Sequence, residues 1–140
     1  MRRLVGSALL VMLAACGGDS TGPNADVTGN YTLRTVNGGN VPAVVYQDTL
    51  EKDELTSGNI TLNADKTWTG LLSARITDLT SGAANTFSAP ASGTYTNASG
   101  TLTLTDGTDG SKLMGSVGGG TLTISGNILV PEVITLVFKR

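Results

Sequence analysis

"TWTGLLSARIT", residues 67–77, is the stretch that decides the fold class. One set of alternate positions carries aromatic, aliphatic or small residues, namely Trp68, Gly70, Leu72, Ala74 and Ile76. The other set is polar, namely Thr67, Thr69, Ser73, Arg75 and Thr77, and Leu71 is the exception. Apolar and polar residues that alternate with a period of two predict an antiparallel strand with one face buried and the other in water.

Shorter segments with strand patterns lie on both sides of this stretch, and turn signals such as Asn37-Gly38-Gly39 and Gly118-Gly119-Gly120 separate them. They are "GNYTLRTVNGG" (29–39), "VPAVVYQDTL" (41–50), "GNITLN" (58–63), "FSAPASGTYT" (87–96), "TLTLT" (101–105), "SKLMGSV" (111–117), "TLTIS" (121–125) and "PEVITLVFKR" (131–140). No segment has convincing helical periodicity. Many short strands with tight connections predict an all-β barrel or sandwich. We favour an antiparallel up-and-down barrel of eight to ten strands, because closure removes exposed sheet edges.

Three segments leave their local structure open. Pro90 marks either a bulge or the edge of a sheet, since proline cannot donate to a ladder. The charged run "EKDEL", residues 51–55, is either an exposed bend or part of a long hairpin. The last strand, residues 131–140, is apolar on both faces, so it is either covered on both sides or closes the barrel.

The N-terminus has the layout of an export signal: basic residues, an apolar run over residues 4–15, and small residues before a cleavage point. The run is shorter than the 20 or so apolar residues that a membrane-spanning helix needs. Leu13-Ala14-Ala15-Cys16 resembles the lipobox of bacterial lipoproteins. An ordinary secreted protein with a stray cysteine near its cleavage site is the alternative.

The lipobox resemblance implies that the leader is cut before Cys16 and that this cysteine carries diacylglycerol, with a further acyl chain such as palmitate on the new amine. Gly17, in place of aspartate, implies the outer membrane, with the protein facing the periplasm of the cell envelope. The predicted organisation is a signal peptide over residues 1–15, a flexible tether over 16–27 and a β-barrel domain over 28–140. The predicted partner is the membrane, to which the protein binds through these acyl chains.

Composition excludes several classes of function. The chain has 140 residues, 11 acidic and 9 basic, and no histidine. The mature part is more acidic still, so a basic face for nucleic acid is not expected. Without histidine, neither a Ser-His-Asp triad nor the usual transition-metal site can form, and we predict no cofactor. The single Cys16 cannot form an intrachain disulfide.

Two acidic segments have a catalytic or metal-binding interpretation beside a plain one. The first contains Asp48, Glu51, Asp53 and Glu54 and is either a carboxylate pair for glycoside hydrolysis or a solvated charged loop. The second is "DGTDG", residues 106–110, which is either a calcium loop or a hairpin turn. We favour the plain interpretation of both, and predict neither a metal site nor an enzyme.

Several segments together are similar to small bacterial lipocalin-like lipoproteins: "GNYTLRTVNGGNVP", "ITLNADKTW", "SGTYTNASGTLTLT" and the terminal "FKR". Gly29-Asn30-Tyr31 stands where lipocalins carry Gly-x-Trp on the first strand. The resemblance implies that a basic residue near the end of the barrel, Lys139 or Arg140, packs on Tyr31 through a cation–π contact.

One set of apolar residues has two interpretations, as the lining of a barrel cavity or as a filled core. The set is Tyr31, Trp68, Leu72, Ile76, Phe87, Tyr95 and Phe138. A cavity predicts an anchored barrel that binds a small hydrophobic ligand. A filled core predicts instead an envelope interaction or inhibitor protein that works through its surface.

Overall fold

A computed structural model describes residues 26–140, which form ten β-strands and no helix. The strands are β1 (Gly29–Val36), β2 (Gly39–Asn40), β3 (Ala43–Gln47), β4 (Glu51–Leu62), β5 (Thr67–Asp78), β6 (Ala84–Ala98), β7 (Thr101–Asp106), β8 (Lys112–Gly118), β9 (Thr121–Gly126) and β10 (Ile134–Lys139). None of the described residues belongs to a helix long and apolar enough to cross a membrane. The predicted leader, Cys16 and the tether up to residue 25 lie outside the described residues.

Eight of these strands close into an antiparallel barrel. From β4 to β10 each strand pairs with the next one in the chain, and β1 pairs with both β10 and β4. On one side of β1, Tyr31 lies opposite Ile60; on the other, Leu33 lies opposite Phe138. The short strands β2 and β3 add to β1 and β4 outside the closed ring. The up-and-down barrel is therefore confirmed and the sandwich is wrong.

The alternation in the opening stretch is the alternation of β5. Trp68 and Ala74 are buried, whereas Leu71 on the other face is exposed. Before the strand, residues 63–66 turn the chain, and the Asp65 carboxylate accepts the Thr67 N–H at 3.0 Å. The last strand, β10, buries the face that carries Ile134 and closes the ring by pairing with β1 and β9. Its second apolar face therefore does not need a covering layer.

The strands β4, β5 and β6 are longer than the rest of the barrel. They have 12, 12 and 15 residues, whereas β7 to β10 have 6 or 7. The charged run 51–55 begins β4, so the long-hairpin prediction is confirmed and the exposed bend is wrong. Strand β7 pairs with β6 only over residues 93–98, which leaves residues 84–91 without a paired strand on that side among the described residues. Pro90 lies in this edge, as one of its two interpretations predicted.

The two ends of the barrel differ. At the closed end the chain enters at Asp26, the Tyr31 hydroxyl donates to the Val27 carbonyl at 2.7 Å, and the Tyr95 hydroxyl donates to the Asn63 carbonyl at 2.8 Å. Val27 is buried, so the packed domain begins one residue before the predicted boundary. The opposite end, which we call the mouth, is bordered by the β5–β6 turn, the β7–β8 turn and the loop of residues 127–133.

Candidate functional site

An apolar pocket of about 220 Å³ lies inside the barrel and is open to solvent on the side of the mouth. It is lined by Asn59, Ile60, Trp68, Gly70, Leu71, Leu72, Ala89, Pro90, Ala91, Leu104, Leu113, Ile124, Ile128, Leu129, Leu136 and Phe138. Four of these, Leu104, Ile124, Leu136 and Phe138, are fully buried and form its floor. The remaining wall on the mouth side comes from β6 and the loop of residues 127–133.

The pocket exists because small residues face each other across two strands. Gly70 on β5 lies opposite Ala91 on β6, and Leu72 lies opposite Ala89. The space above Gly70 is partly taken by the Trp68 ring, whose Cζ3 atom is 3.2 Å from where a β-carbon of residue 70 would stand. Since glycine and alanine bring little side-chain volume, the inner face of β5 and β6 cannot fill the barrel at this level.

Trp68 is the fixed wall of the pocket. The chain has one tryptophan, and this side chain is only 5 % exposed. Its indole N–H donates to the Thr105 carbonyl at 3.2 Å, which satisfies the polar end of the ring and holds its plane. A ligand in the pocket would therefore contact the indole ring of Trp68, whose fluorescence can report binding.

The loop of residues 127–133 forms one side of the mouth and is held in place by its own contacts. The Asn127 side-chain amide donates to the Pro131 carbonyl, and Val130 is buried in the core. Ile128 packs partly against the core, whereas Leu129 remains 47 % exposed beside the opening. The rim is thus apolar on both the loop side and the β6 side.

The lining selects for apolar, uncharged groups. Asn59 is the one polar residue in the lining, as far as the described residues go, and no charged side chain faces the space. A charged guest would lose its hydration without gaining a partner, which costs several kcal/mol or more. The volume exceeds the 150 Å³ or so that accommodates benzene and is below the 300 Å³ or more of sites for drug-sized ligands.

The structure brings three of the seven predicted lining residues to the pocket: Trp68, Leu72 and Phe138. Tyr31 and Tyr95 are buried at the closed end instead, where burial raises the pKa of both hydroxyls. Their hydroxyl groups are committed to backbone carbonyls, so these two rings belong to the packed part of the barrel.

Ile76 and Phe87 do not line the pocket. They lie on the part of β5 and β6 that extends past the barrel, where Phe87 is 41 % exposed. The register does turn Phe87 towards the inner face, opposite Ala74, but β7 does not extend along β6 to that height. The sequence pattern therefore predicted the face correctly and the burial wrongly.

Most of the lining was missed from sequence. The floor residues Leu104, Ile124 and Leu136 looked like ordinary core positions, because each lies in a short alternating strand. The signal that was present is the small residues Gly70, Ala89 and Ala91, which occupy inward positions where a filled barrel needs large side chains.

At the closed end a cation lies over the Tyr31 ring. The Arg140 guanidinium carbon is 5.9 Å from the ring centroid, and its Nη1 donates to the Thr28 carbonyl at 2.6 Å. Lys139 turns away and donates to the Thr121 hydroxyl. Of the two basic residues named as candidates for this contact, Arg140 therefore makes it.

In the first acidic segment, Glu54 on β4 is held by ion pairs, whereas Asp48 and Glu51 are exposed. Glu54 is buried, and its carboxylate accepts from the Arg75 guanidinium at 2.6 Å, with Lys52 at 3.4 Å. These hydrogen bonds, chiefly the one from Arg75, lower the pKa of Glu54. Nearby, one oxygen of the Asp53 carboxylate is buried with no hydrogen-bond partner among the described residues.

The second acidic segment, residues 106–110, forms the turn between β7 and β8. Within residues 26–140, no group of three or more acidic, cysteine or histidine side chains is arranged to hold a metal ion. In the segment 106–110, the Asp106 carboxylate accepts the Thr108 N–H at 2.6 Å, and Asp109 accepts the Ser111 N–H at 2.8 Å. These side chains stabilise the β7–β8 turn, so the hairpin interpretation is confirmed.

Comparison of the chain with models of protein families, with curated proteins and with solved structures finds no match.

Proposed function

We propose that this protein is a lipid-anchored binding module of the bacterial cell envelope, whose barrel accepts a small, uncharged, apolar ligand through its mouth. One observation carries the proposal: the apolar pocket of about 220 Å³ that opens at the mouth. The pocket favours the ligand-binding alternative over a fully packed barrel. The anchor is argued from the N-terminal sequence, where Cys16 follows a lipobox-like segment.

The volume sets an expected affinity. At about 24 cal/mol per Å³ of apolar cavity, filling 220 Å³ is worth about 5 kcal/mol. That free energy corresponds to a Kd of about 0.1–1 mM, and the solvent-open side makes the weaker end of this range the better expectation. Such a pocket suits one ring or a short alkyl group, and a complete membrane lipid would leave most of its surface outside.

The described chain begins at the closed end of the barrel, opposite the mouth of the pocket. The first described residue, Asp26, lies at the closed end, where its backbone carbonyl contacts Arg140 at 3.3 Å. The predicted tether outside the described residues, 16–25, would span roughly 17 Å on average as a flexible coil. On this proposal, the closed end is nearer the membrane and the mouth is turned to the aqueous side, so the ligand reaches the pocket from solution.

Bromobenzene tests the pocket, because a bound heavy atom quenches the adjacent Trp68. We expect quenching of the full chain, purified without detergent, to saturate with a midpoint of about 0.1–1 mM. Ala91→Leu, which places three more carbons in the pocket, should abolish the saturable part. Quenching that rises linearly and equally in both proteins would count against the pocket as a binding site.

Metabolic labelling with an alkyne analogue of palmitate tests the anchor separately. In a bacterial host the wild-type chain should take up the label and fractionate with membranes, whereas Cys16→Ser should do neither. An unlabelled wild-type chain that is released in soluble form would refute the anchor and leave the pocket result standing.

A further inference from the structure

The edge of β6 has a row of backbone groups that no neighbouring strand uses. Two hydrogen bonds show which residues face β5: the Tyr95 N–H donates to the Lys66 carbonyl at 2.8 Å, and the Asp78 N–H donates to the Ala83 carbonyl at 2.8 Å. The register between these two points has no shift. Odd-numbered residues of β6 therefore bond to β5, and even-numbered residues point their N–H and C=O groups away from it.

On that outward side the pairing with β7 ends at Gly93, and the last bond is from the Gly107 N–H to the Ser92 carbonyl at 2.8 Å. Beyond it, the outward groups of Ala84, Thr86 and Ser88 have no backbone partner within residues 26–140. All three residues are exposed. The free stretch is about 20 Å long, at about 3.4 Å per residue, which is enough for a partner strand of about six residues.

The proline of this edge stands at a position where it costs no hydrogen bond to β5. Pro90 is even-numbered, so its missing N–H is on the outward side. It limits the usable edge to the stretch before it, residues 84–89. Edge strands are commonly protected from pairing with another chain by charged side chains or bulges. Residues 84–89 have neither: they are Ala, Asn, Thr, Phe, Ser and Ala.

The segments that border the edge are acidic. Asp78 ends β5 at its upper end, Asp106 and Asp109 lie at the start of and within the β7–β8 turn at its lower end, and Glu132 is in the loop across the mouth. The basic residues of these segments are Lys112 and Arg75, and Arg75, which lies opposite Thr86, is paired with Glu54. Backbone N–H groups, first those of Ser81 and Ser111, lower the pKa of Asp78 and Asp109. Both ends of the edge are therefore negatively charged at neutral pH.

This charge pattern decides between occupants. A second copy paired edge to edge in the antiparallel sense would bring Asp78 of one chain beside Asp106 of the other, and parallel pairing would bring like ends together. Like charges across an interface oppose association. A strand with lysine or arginine at its ends would be attracted by the acidic residues at both ends of the edge. Its side chains on the inner face of the sheet would lie beside the half-exposed Phe87.

We propose that residues 84–89 of β6 form a docking edge for an extended peptide segment of a partner protein, with apolar residues at alternate positions and basic residues at its ends. The segment adds a strand to the sheet, so that its backbone bonds to Thr86 and Ser88. The edge meets the apolar pocket at Ala89, which belongs to both, but the bonds to Thr86 and Ser88 do not depend on ligand binding in the pocket.

A fluorescein-labelled peptide, acetyl-KVTVKVTVK-amide, tests the proposal on the full chain. We expect saturable binding by fluorescence anisotropy, weakened by added salt, and slower hydrogen exchange at the Thr86 and Ser88 amides. The acidic counterpart acetyl-EVTVEVTVE-amide should bind at least about tenfold more weakly. Equal binding of the two peptides, or unchanged exchange at both amides, would overturn the proposal.

Two changes remove the backbone bonds without removing charge. Thr86→Pro deletes an outward N–H and no bond to β5, and should weaken the basic peptide at least about tenfold, whereas Thr86→Val keeps the N–H and should bind normally. If Thr86→Pro does not fold, a basic peptide methylated on alternate backbone nitrogens serves instead and should not bind to the wild-type chain. A wild-type dimer that Thr86→Pro dissociates would assign the edge to a second copy and refute the peptide.

Pocket binding is scored in the same samples. Ala91→Leu should lose bromobenzene quenching and keep the peptide, and Thr86→Pro should show the reverse. The failure of either site is therefore visible independently of the other.

Discussion

Filling the pocket with Ala91→Leu should stabilise the protein, and the sign of the effect is the informative part. Ala91 is half-buried, points to the pocket and lies opposite Gly70, so no side chain across the strand pair blocks a larger residue. Most substitutions of a small residue by a large one inside a barrel overpack it and cost about 1–3 kcal/mol. An empty apolar pocket reverses this expectation.

The magnitude follows from the three added carbons. Each buried methylene contributes about 0.8 kcal/mol, or about 2.4 kcal/mol in all. Fixing the leucine side chain costs about 0.5–1 kcal/mol, which leaves a net stabilisation of about 1.5 kcal/mol. For a domain of this size, that corresponds to an increase in Tm of about 6 °C.

Urea unfolding at 25 °C and thermal unfolding by circular dichroism measure the effect. The matched control is Ala98→Leu on the same strand, because Ala98 is exposed and far from the pocket; it should stay within about 0.5 kcal/mol of wild type. A destabilised Ala91→Leu, with Ala98→Leu unchanged, would show that the interior at this level is already full and would refute the pocket.

Other predictions concern the frame around the pocket. In Gly115→Ala the new β-carbon would stand 2.1 Å from a backbone carbonyl oxygen of β9, so the two strands must separate. The free energy of unfolding should fall by about 1–3 kcal/mol. Gly118→Ala is the control, because its β-carbon would stand in open space. Glu54→Gln should lower stability by up to about 1 kcal/mol at pH 7. Because the Arg75 contact lowers the folded-state pKa of Glu54, this contribution is present above the ordinary carboxyl pKa and is lost as pH falls through the lowered value, so the stabilities of the two proteins in urea unfolding should converge as pH falls below the ordinary carboxyl range. Tyr95→Phe removes a buried hydroxyl that donates to a backbone carbonyl and should cost about 1 kcal/mol by the same assay, while an unchanged midpoint would mean that this bond adds nothing to the closed end.

The sequence was a good guide to everything that depends on local alternation. The pattern around Trp68 predicted β5 and its buried face, and the final apolar strand was correctly taken as one that can close the ring, since Phe138 lies buried between β1 and β9. Turn residues identified the hairpins. Gly119 and Gly120, for example, both have positive φ in the β8–β9 turn, which favours glycine.

What the sequence did not show depends on register and on the relative lengths of neighbours. The pocket arises because Gly70 lies opposite Ala91, and that pairing is a property of two strands rather than of either pattern. Likewise, Phe87 is on the predicted face but is exposed, because β7 ends before that height. The docking edge is free for the same reason, because β7 ends early. Within the sequence of β6, only Pro90 indicates that part of the strand is an edge.

The most direct test of the account is a crystal of the full chain held under xenon pressure, since xenon binds in apolar cavities that are empty of ordered water. The account predicts one or more xenon atoms between Trp68 and Leu104, absent from crystals of Ala91→Leu. A pocket region without xenon, filled by protein side chains or by hydrogen-bonded water, would contradict it.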